Sequence, residues 1–191
     1  DGNDVIWIVY NSVNGSGLAL IRVAKFDTSI DGYSYNVVVR NRALSDTIAY
    51  MDIAIDGNNQ AHITYTTGSG AALSYNNSIR KGSSWLPTAP VTTASMRGSS
   101  IIIDLYGYPI IFARDTTNGV VFWSGQGNNS GAFNGFVMAT AASSSNGNVS
   151  STMDSAGALW LAWQGGNGSY VNVKRIVLDD TGTRSITADA A

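Results

Sequence analysis

The side chains with the most chemical potential in this sequence are aromatic rings set among short polar residues. The 191 residues include 5 Trp and 9 Tyr, and Asn, Ser, Thr and Gln crowd the turns between apolar runs. A ring beside hydroxyls and amides suits a polyhydroxylated ligand, because the ring covers C–H patches while the polar groups satisfy hydroxyls. Tyr106 and Tyr108 share one turn, where the burial of two rings is not expected. Trp85, Trp123 and Trp163 are further platform candidates, and Arg114 and Gln126 are the candidate hydrogen-bonding partners.

Catalytic groups are scarcer. All 13 acids are aspartates, His62 is the only histidine, and cysteine is absent. Glycoside hydrolysis calls for two carboxylates at a set separation. Asp27, Asp31, Asp46, Asp52 and Asp115 remain once the turn aspartates are set aside, and they form no recognisable constellation. His62 would have to serve any Ser-His-Asp arrangement, yet it fills a repeat position held elsewhere by Trp7, Ile110 and Trp160, which reads as packing. One histidine and no cysteine exclude disulfides, thiolate chemistry and multi-histidine metal sites. The run from Asp1 to Asp4 looks like a calcium loop but lacks the spaced acids and the distal Glu. The expectation is a non-enzymatic chain with no metal and no cofactor. A net charge of −2 gives no basic footprint for nucleic acid, and the apolar runs are too short to insert in a membrane as helices.

The elements that position these residues follow from a phrase that returns four times. It reads DGNDVIWIVY from Asp1, DGNNQAHITY from Asp56, DLYGYPIIFA from Asp104 and DSAGALWLAW from Asp154, at intervals of about 50 residues. Both alternating faces of the phrase are apolar, as in strands covered on both sides. A short apolar strand precedes it (Met51–Ile55, Ser99–Ile103, Ser150–Met153). Each aspartate, with Gly2, Gly57, Gly107 or Gly157, is expected to make the hairpin turn, the glycine supplying the positive φ. A third strand begins near Gly17, Gly70, Gly119 and Gly168, and an aromatic marks a fourth at Trp85, Phe133 and Tyr33 or Tyr35. Low charge, 21 glycines and no helical period complete the pattern. The prediction is an all-β fold: a β-propeller of four blade-like repeats, four antiparallel strands each, in one domain over 1–191. Either the tail within 185–191 completes the first blade beside Asp1, or the repeats are an open four-blade piece of a six- to eight-bladed ring completed by further sequence or by another chain.

These repeats resemble the sialidase-like, Asp-box type of propeller. The order Ser151-Thr-Met-Asp154-Ser-Ala-Gly157-Ala-Leu-Trp160 is similar to the Asp-box pattern, with Asp and Gly three apart where the pattern has two. More loosely, Ile111-Phe-Ala-Arg114 through Phe122-Trp123 is similar to blades of tectonin-type lectins. A sialidase would need an arginine triad and a Tyr–Glu pair, and this chain has no glutamate. The resemblance therefore implies a carbohydrate-binding module, secreted or on a cell or virion surface, with glycan or other copies of itself as partner. The alternative reading is a structural assembly protein that packs through the same fold. Asn-x-Ser/Thr sequons stand at Asn14, Asn76, Asn128, Asn148 and Asn167.

Overall fold

The computed structural model describes residues 5–17, 19–42, 48–67, 72–81, 84–87, 96–115, 119–125, 133–139, 149–165, 170–178 and 186–188. They form antiparallel sheets, with no helix among the described residues. The first sheet holds β1 (Val5–Val13), β2 (Ala19–Asp27) and β3 (Gly32–Arg42). The second holds β4 (Ile48–Ile55), β5 (Ala61–Thr67), β6 (Ala72–Lys81) and β7 (Ser84–Pro87). The third holds β8 (Met96–Ile103), β9 (Pro109–Asp115), β10 (Gly119–Gly125) and β11 (Phe133–Ala139). The fourth holds β12 (Val149–Met153), β13 (Leu159–Gly165), β14 (Tyr170–Leu178) and β15 (Ile186–Ala188). Each sheet is a meander in chain order, so each of the last three phrases becomes one hairpin turn and the strand after it, and the first supplies β1.

Of the tail expected to complete the first blade, residues 186–188 are described, while 185 and 189–191 lie outside the described residues, as do residues 1–4 beside which it would lie. Ile186–Ala188 pair with β14, at the outer edge of the fourth sheet, through Ile176↔Ala188 and Leu178↔Ile186. The first sheet is β1-β2-β3 among the described residues. The reason lies in the meander: a hairpin return onto β14 reaches a partner nearby in sequence, while β1 is the most distant strand in the chain.

The core lies between sheets. Trp7 and Val9 of the first sheet pack with Val23 against Ala61, Ile63, Ile53 and Ile55 of the second. Ile102, Ile110 and Phe112 of the third pack against Val149, Leu159, Leu161 and Ile176 of the fourth. The even apolarity of the phrase has a different outcome in the middle and at the ends. Residues 61–66 of β5 and 109–114 of β9 are buried without a break, so those strands are covered on both faces. In β1 and β13 burial alternates, and one face is open.

The aspartate turns share one geometry. The amide of the fourth residue donates to the Asp carbonyl, and the Asp amide donates to the fifth residue's carbonyl. These bonds run from Asn59 to Asp56 and from Asp56 to Gln60, both at 3.0 Å, and they recur at Asp104 and Asp154. The left-handed residue is the fourth: Asn59 (φ 59), Gly107 (φ 82) and Gly157 (φ 82). Gly57, expected to supply the positive φ, does not; the loop is a three-residue one whose last position is left-handed, and Asn fills it in the second repeat. Asp1 and Gly2 lie outside the described residues. Each carboxylate Oδ1 accepts two backbone amides at 2.8–3.0 Å, two and four residues on.

Candidate functional site

The first strands of the second, third and fourth sheets run beside one another, with β8 against both β4 and β12. Their far ends lead into the aspartate turns. Toward their near ends the pairing breaks: register shifts fall between Ala49 and Asp52 on β4 and between Arg97 and Ser99 on β8. Tyr50 (φ 52) and Gly98 (φ 68) sit at these breaks in left-handed conformations. Both stand six residues before a turn aspartate, so the irregularity is itself repeated. A bulge re-aims the side chains around it. Here it frames a cleft of about 250 Å³ lined by Tyr50, Met51, Asp52, Gly98, Ser99, Ser100, Val149 and Ser150.

The floor of the cleft is stitched by hydrogen bonds between sheets. Asp52 Oδ2 accepts the Ser100 hydroxyl and the Ile101 amide, both at 2.9 Å, while Oδ1 accepts the Ile53 amide at 2.9 Å. Ser100 Oγ in turn accepts the Ser151 hydroxyl at 2.8 Å and the Ser151 amide at 3.1 Å. The Ser99 hydroxyl donates to the Tyr50 carbonyl, holding the bulge of β4 against β8. A hydroxyl-to-carboxylate chain thus crosses three sheets, with its charge-assisted end at Asp52. With three donors on its carboxylate, Asp52 is a strut. Tyr50, 37% exposed, and Ser150 are the exposed residues of the lining. Tyr50 pays for this position with a φ that bulky residues rarely adopt, and such strain gathers at ligand sites.

The candidates read from the sequence fall in several places. Tyr106 and Tyr108 are in the Asp104 turn, at the opposite end of the first strands from the cleft. Their amides serve Asp104 Oδ1, and the Tyr106 side chain is 59% exposed. Arg114 and Trp163 stand at the cleft end, since Arg114 pairs with Arg97 and Trp163 with Val149. Neither reaches out as a ligand hand. Arg114 is buried with Nη1 directed to the Gln164 carbonyl at 3.4 Å, a tie between the third and fourth sheets. Trp163 packs on the cluster around Phe112 and Leu161. Trp85 and Trp123 are placed on β7 and β10, with side chains outside the described residues, and Gln126 lies outside them altogether.

His62 has a definite task. Its Nε2 meets Asp56 Oδ2 at 3.1 Å with both groups buried, and Trp160 Nε1 donates to Asp154 Oδ2 at 3.0 Å in the same repeat position. His62 and Trp160 are equivalent clamps on a turn carboxylate, so the sequence difference between them conceals one role. Burial holds the His62 imidazole below its usual pKa, against the opposing pull of Asp56. Among the described residues no group of three or more His, Cys, Asp or Glu could hold a metal ion.

Sequence reasoning missed Tyr50, Ser99, Ser100 and Ser150, and counted Asp52 only among the aspartates left over for a glycosidase. One signal was there: the residues six before the last three turn aspartates are Tyr50, Gly98 and Asn148. Gly and Asn are the types that tolerate a left-handed backbone, which makes a tyrosine in that company conspicuous.

No protein-family model and no curated protein matches the sequence. Solved structures do match in fold. A protein of unknown function from Dyadobacter fermentans superposes with a TM-score of 0.68 at 9% identity, over 91% of this chain and 50% of that one. A Hadza microbial sialidase gives 0.61 at 13% identity, over 97% and 44%. A glycosyl hydrolase from Bacteroides ovatus gives 0.53 at 14% identity, over 97% and 67%. The chain spans about half the length of the first two. The expected likeness to sialidase-type propellers holds at the level of fold: the chain is all-β and antiparallel, and its structural neighbours are of the propeller type.

Proposed function

We propose that this chain is a carbohydrate-binding propeller module that holds a single sugar unit in the cleft between its first strands and does not hydrolyse it. The observation that carries the reading is the composition of that cleft. A strained, partly exposed tyrosine lines it together with serines and an aspartate, the pairing of apolar platform and short polar groups that sugars require. The cavity is smaller than the roughly 300–1,000 Å³ typical of sites for drug-sized ligands, which favours one ring over an extended chain. Binding is favoured over hydrolysis because, among the described residues, Asp52 is the single carboxylate lining the cleft and is engaged by three donors, whereas glycoside cleavage uses two carboxylates about 5–10 Å apart. The fold shared with a sialidase and a glycosyl hydrolase adds a carbohydrate direction by analogy of fold alone.

The test is a glycan array followed by NMR titration of the best ligand with the wild type, Tyr50→Ala and Ser150→Ala. The expected loss is about tenfold for Tyr50→Ala, the worth of one aromatic contact, and a few-fold for Ser150→Ala. A ligand whose affinity is untouched by both substitutions refutes the cleft. Release of aglycone from a panel of aryl glycosides refutes binding without hydrolysis.

A further inference from the structure

Asparagine is followed by glycine at Asn14, Asn118, Asn134, Asn146 and Asn167. A glycine there leaves the next backbone nitrogen unhindered for attack on the side-chain amide carbon. Asn14 opens the link between β1 and β2, just past the pair Val13↔Ala19. Its carbonyl accepts the Gly17 amide at 2.9 Å, closing a four-residue turn, and its Oδ1 accepts the Ser16 amide at 3.0 Å. Gly15 and Ser16 are exposed. The left-handed residue of the turn is Gly17 (φ 76), and a Cβ built on Gly15 meets nothing within 4 Å. The turn therefore does not require glycine at 15; what that glycine adds is access to Asn14.

We propose that Asn14 is a site of spontaneous deamidation through a cyclic imide. The Gly15 backbone nitrogen bonds to Asn14 Cγ, and its proton passes through solvent to the departing side-chain nitrogen. The Cγ–Nδ2 bond breaks and ammonia leaves. Water then adds to one or other carbonyl of the five-membered ring, and opening gives aspartate or isoaspartate at position 14. Water is the only co-reactant. The Ser16 amide already donates to Oδ1, the oxygen on which negative charge builds in the tetrahedral intermediate, so the turn holds a small oxyanion site in place before reaction.

Two other pairs show what the turn contributes. Asp56-Gly57 has the same arrangement, with the Asn58 amide on Asp56 Oδ1 at 2.9 Å. There the group is a carboxylate, whose carbon resists attack and whose second oxygen meets His62. Asn134-Gly135 lies within β11, with Asn134 opposite Ser124 and Gly135 opposite Trp123. The ladder keeps that backbone extended, and swinging the Gly135 nitrogen onto the side chain would break the pairing. The position of Asn14 gives the reaction a consequence. Val9 packs with Met51 of the cleft on Ile21 and Tyr65, and β1 continues past it to Asn14, so the loop lies at the cleft end of the sheets. Reaction sets a new carboxylate there, and the isoaspartate product lengthens the loop backbone by one methylene. The site stands independently of sugar binding.

The experiment is peptide mapping by mass spectrometry of the 191-residue chain after incubation in warm, mildly alkaline buffer, folded and in denaturing urea. In the folded chain Asn14 is expected to convert to a mixture of aspartate and isoaspartate while Asn134 stays intact. In urea the two are expected to convert at similar rates. Gly15→Ala is expected to slow conversion at Asn14 about tenfold with an unchanged circular dichroism spectrum, since the turn has room for the methyl group and the attacking nitrogen does not. An Asn14 that converts in urea but persists in the folded chain overturns the proposal, because the turn would then shield the pair. Equal conversion of Asn14 and Asn134 in the folded chain overturns it too. So does a product free of isoaspartate, or a rate untouched by Gly15→Ala, either of which would mean direct hydrolysis without the ring.

Discussion

The two ends of the first strands solve the same problem by opposite means. At the turn end, Asp56 and Asp154 are each satisfied within their own hairpin, by donors two, four and six residues on. At the cleft end, the bonds run between sheets, joining residues 48–51 apart in sequence. The turn end is therefore modular: the clamps of the second and fourth units each stay within one hairpin, and replacing His by Trp preserves them. The cleft end is shared, and a change in one sheet is felt in the next. A ligand seated there touches three sheets at once through Tyr50, Ser99 and Ser150, which suits that end to recognition and the other to scaffolding.

Removing Asp52 is the strongest way to break this contrast. Asp52→Ala strips acceptors from the Ser100 hydroxyl and the Ile101 amide at the junction of β4 and β8. Stranding partly buried donors costs about 1–3 kcal/mol each, so a loss of about 3 kcal/mol is expected, read as a lower urea midpoint. Asp56→Ala, whose carboxylate serves one hairpin and His62, is expected to cost about 2 kcal/mol by the same measurement. Equal or reversed losses would mean that the shared end is no more integrating than the modular one. Asp52→Asn, which retains two of the acceptor positions, should fall between wild type and Asp52→Ala.

The contrast also explains what the sequence could and could not reveal. The hairpin clamps are local, so they recur at fixed offsets and are legible: the strands start where the glycines and the aspartates put them. β2, β6, β10 and β14 all begin within two residues of their expected positions. The cleft was not legible, because the partners of Asp52 lie almost one full repeat away and serine at 99, 100 and 151 looks like any surface serine. Arg114 misled for a related reason. Its neighbour Gln164 is 50 residues off, and only the packed sheets show that the guanidinium is tied inward. His62 misled in the other direction, as a difference between copies that turned out to be a conserved geometry with a new donor.

Tyr50→Gly sharpens the comparison at intermediate scale. Glycine adopts φ 52 freely, whereas a non-glycine residue there costs about 1–2 kcal/mol, partly offset by glycine's greater unfolded-state entropy. The variant is expected to be about 0.5–1 kcal/mol more stable while losing the proposed ligand. The opposite signs are the point: a scaffolding tyrosine would lose both together. Thermal unfolding beside the NMR titration decides it.

The smallest effect belongs to the modular end and is one of pH. His62 is the chain's single histidine, and its folded pKa lies below the unfolded value because burial disfavours the imidazolium. Below pH 6.5 the unfolded chain then binds more protons at this site than the folded one. The stability held by the neutral, buried ring is present in full above pH 6.5 and falls as the pH drops toward the folded pKa. The slope for one group approaches about 1.4 kcal/mol per pH unit at most. Urea midpoints at steps from pH 7.5 to 5 should show this decline. The carboxylates complicate the reading only at the acid end: Asp154, held low chiefly by the Trp160 indole, loses its contribution nearer pH 4 and below. His62→Gln supplies an amide donor that does not titrate in this range, so its profile from pH 7.5 to 5 is expected to be flatter. If wild type and His62→Gln decline in parallel, the imidazole is not the group that titrates. The turn clamps would then be interchangeable in protonation as well as geometry, and the pH sensitivity would have to come from the shared end instead.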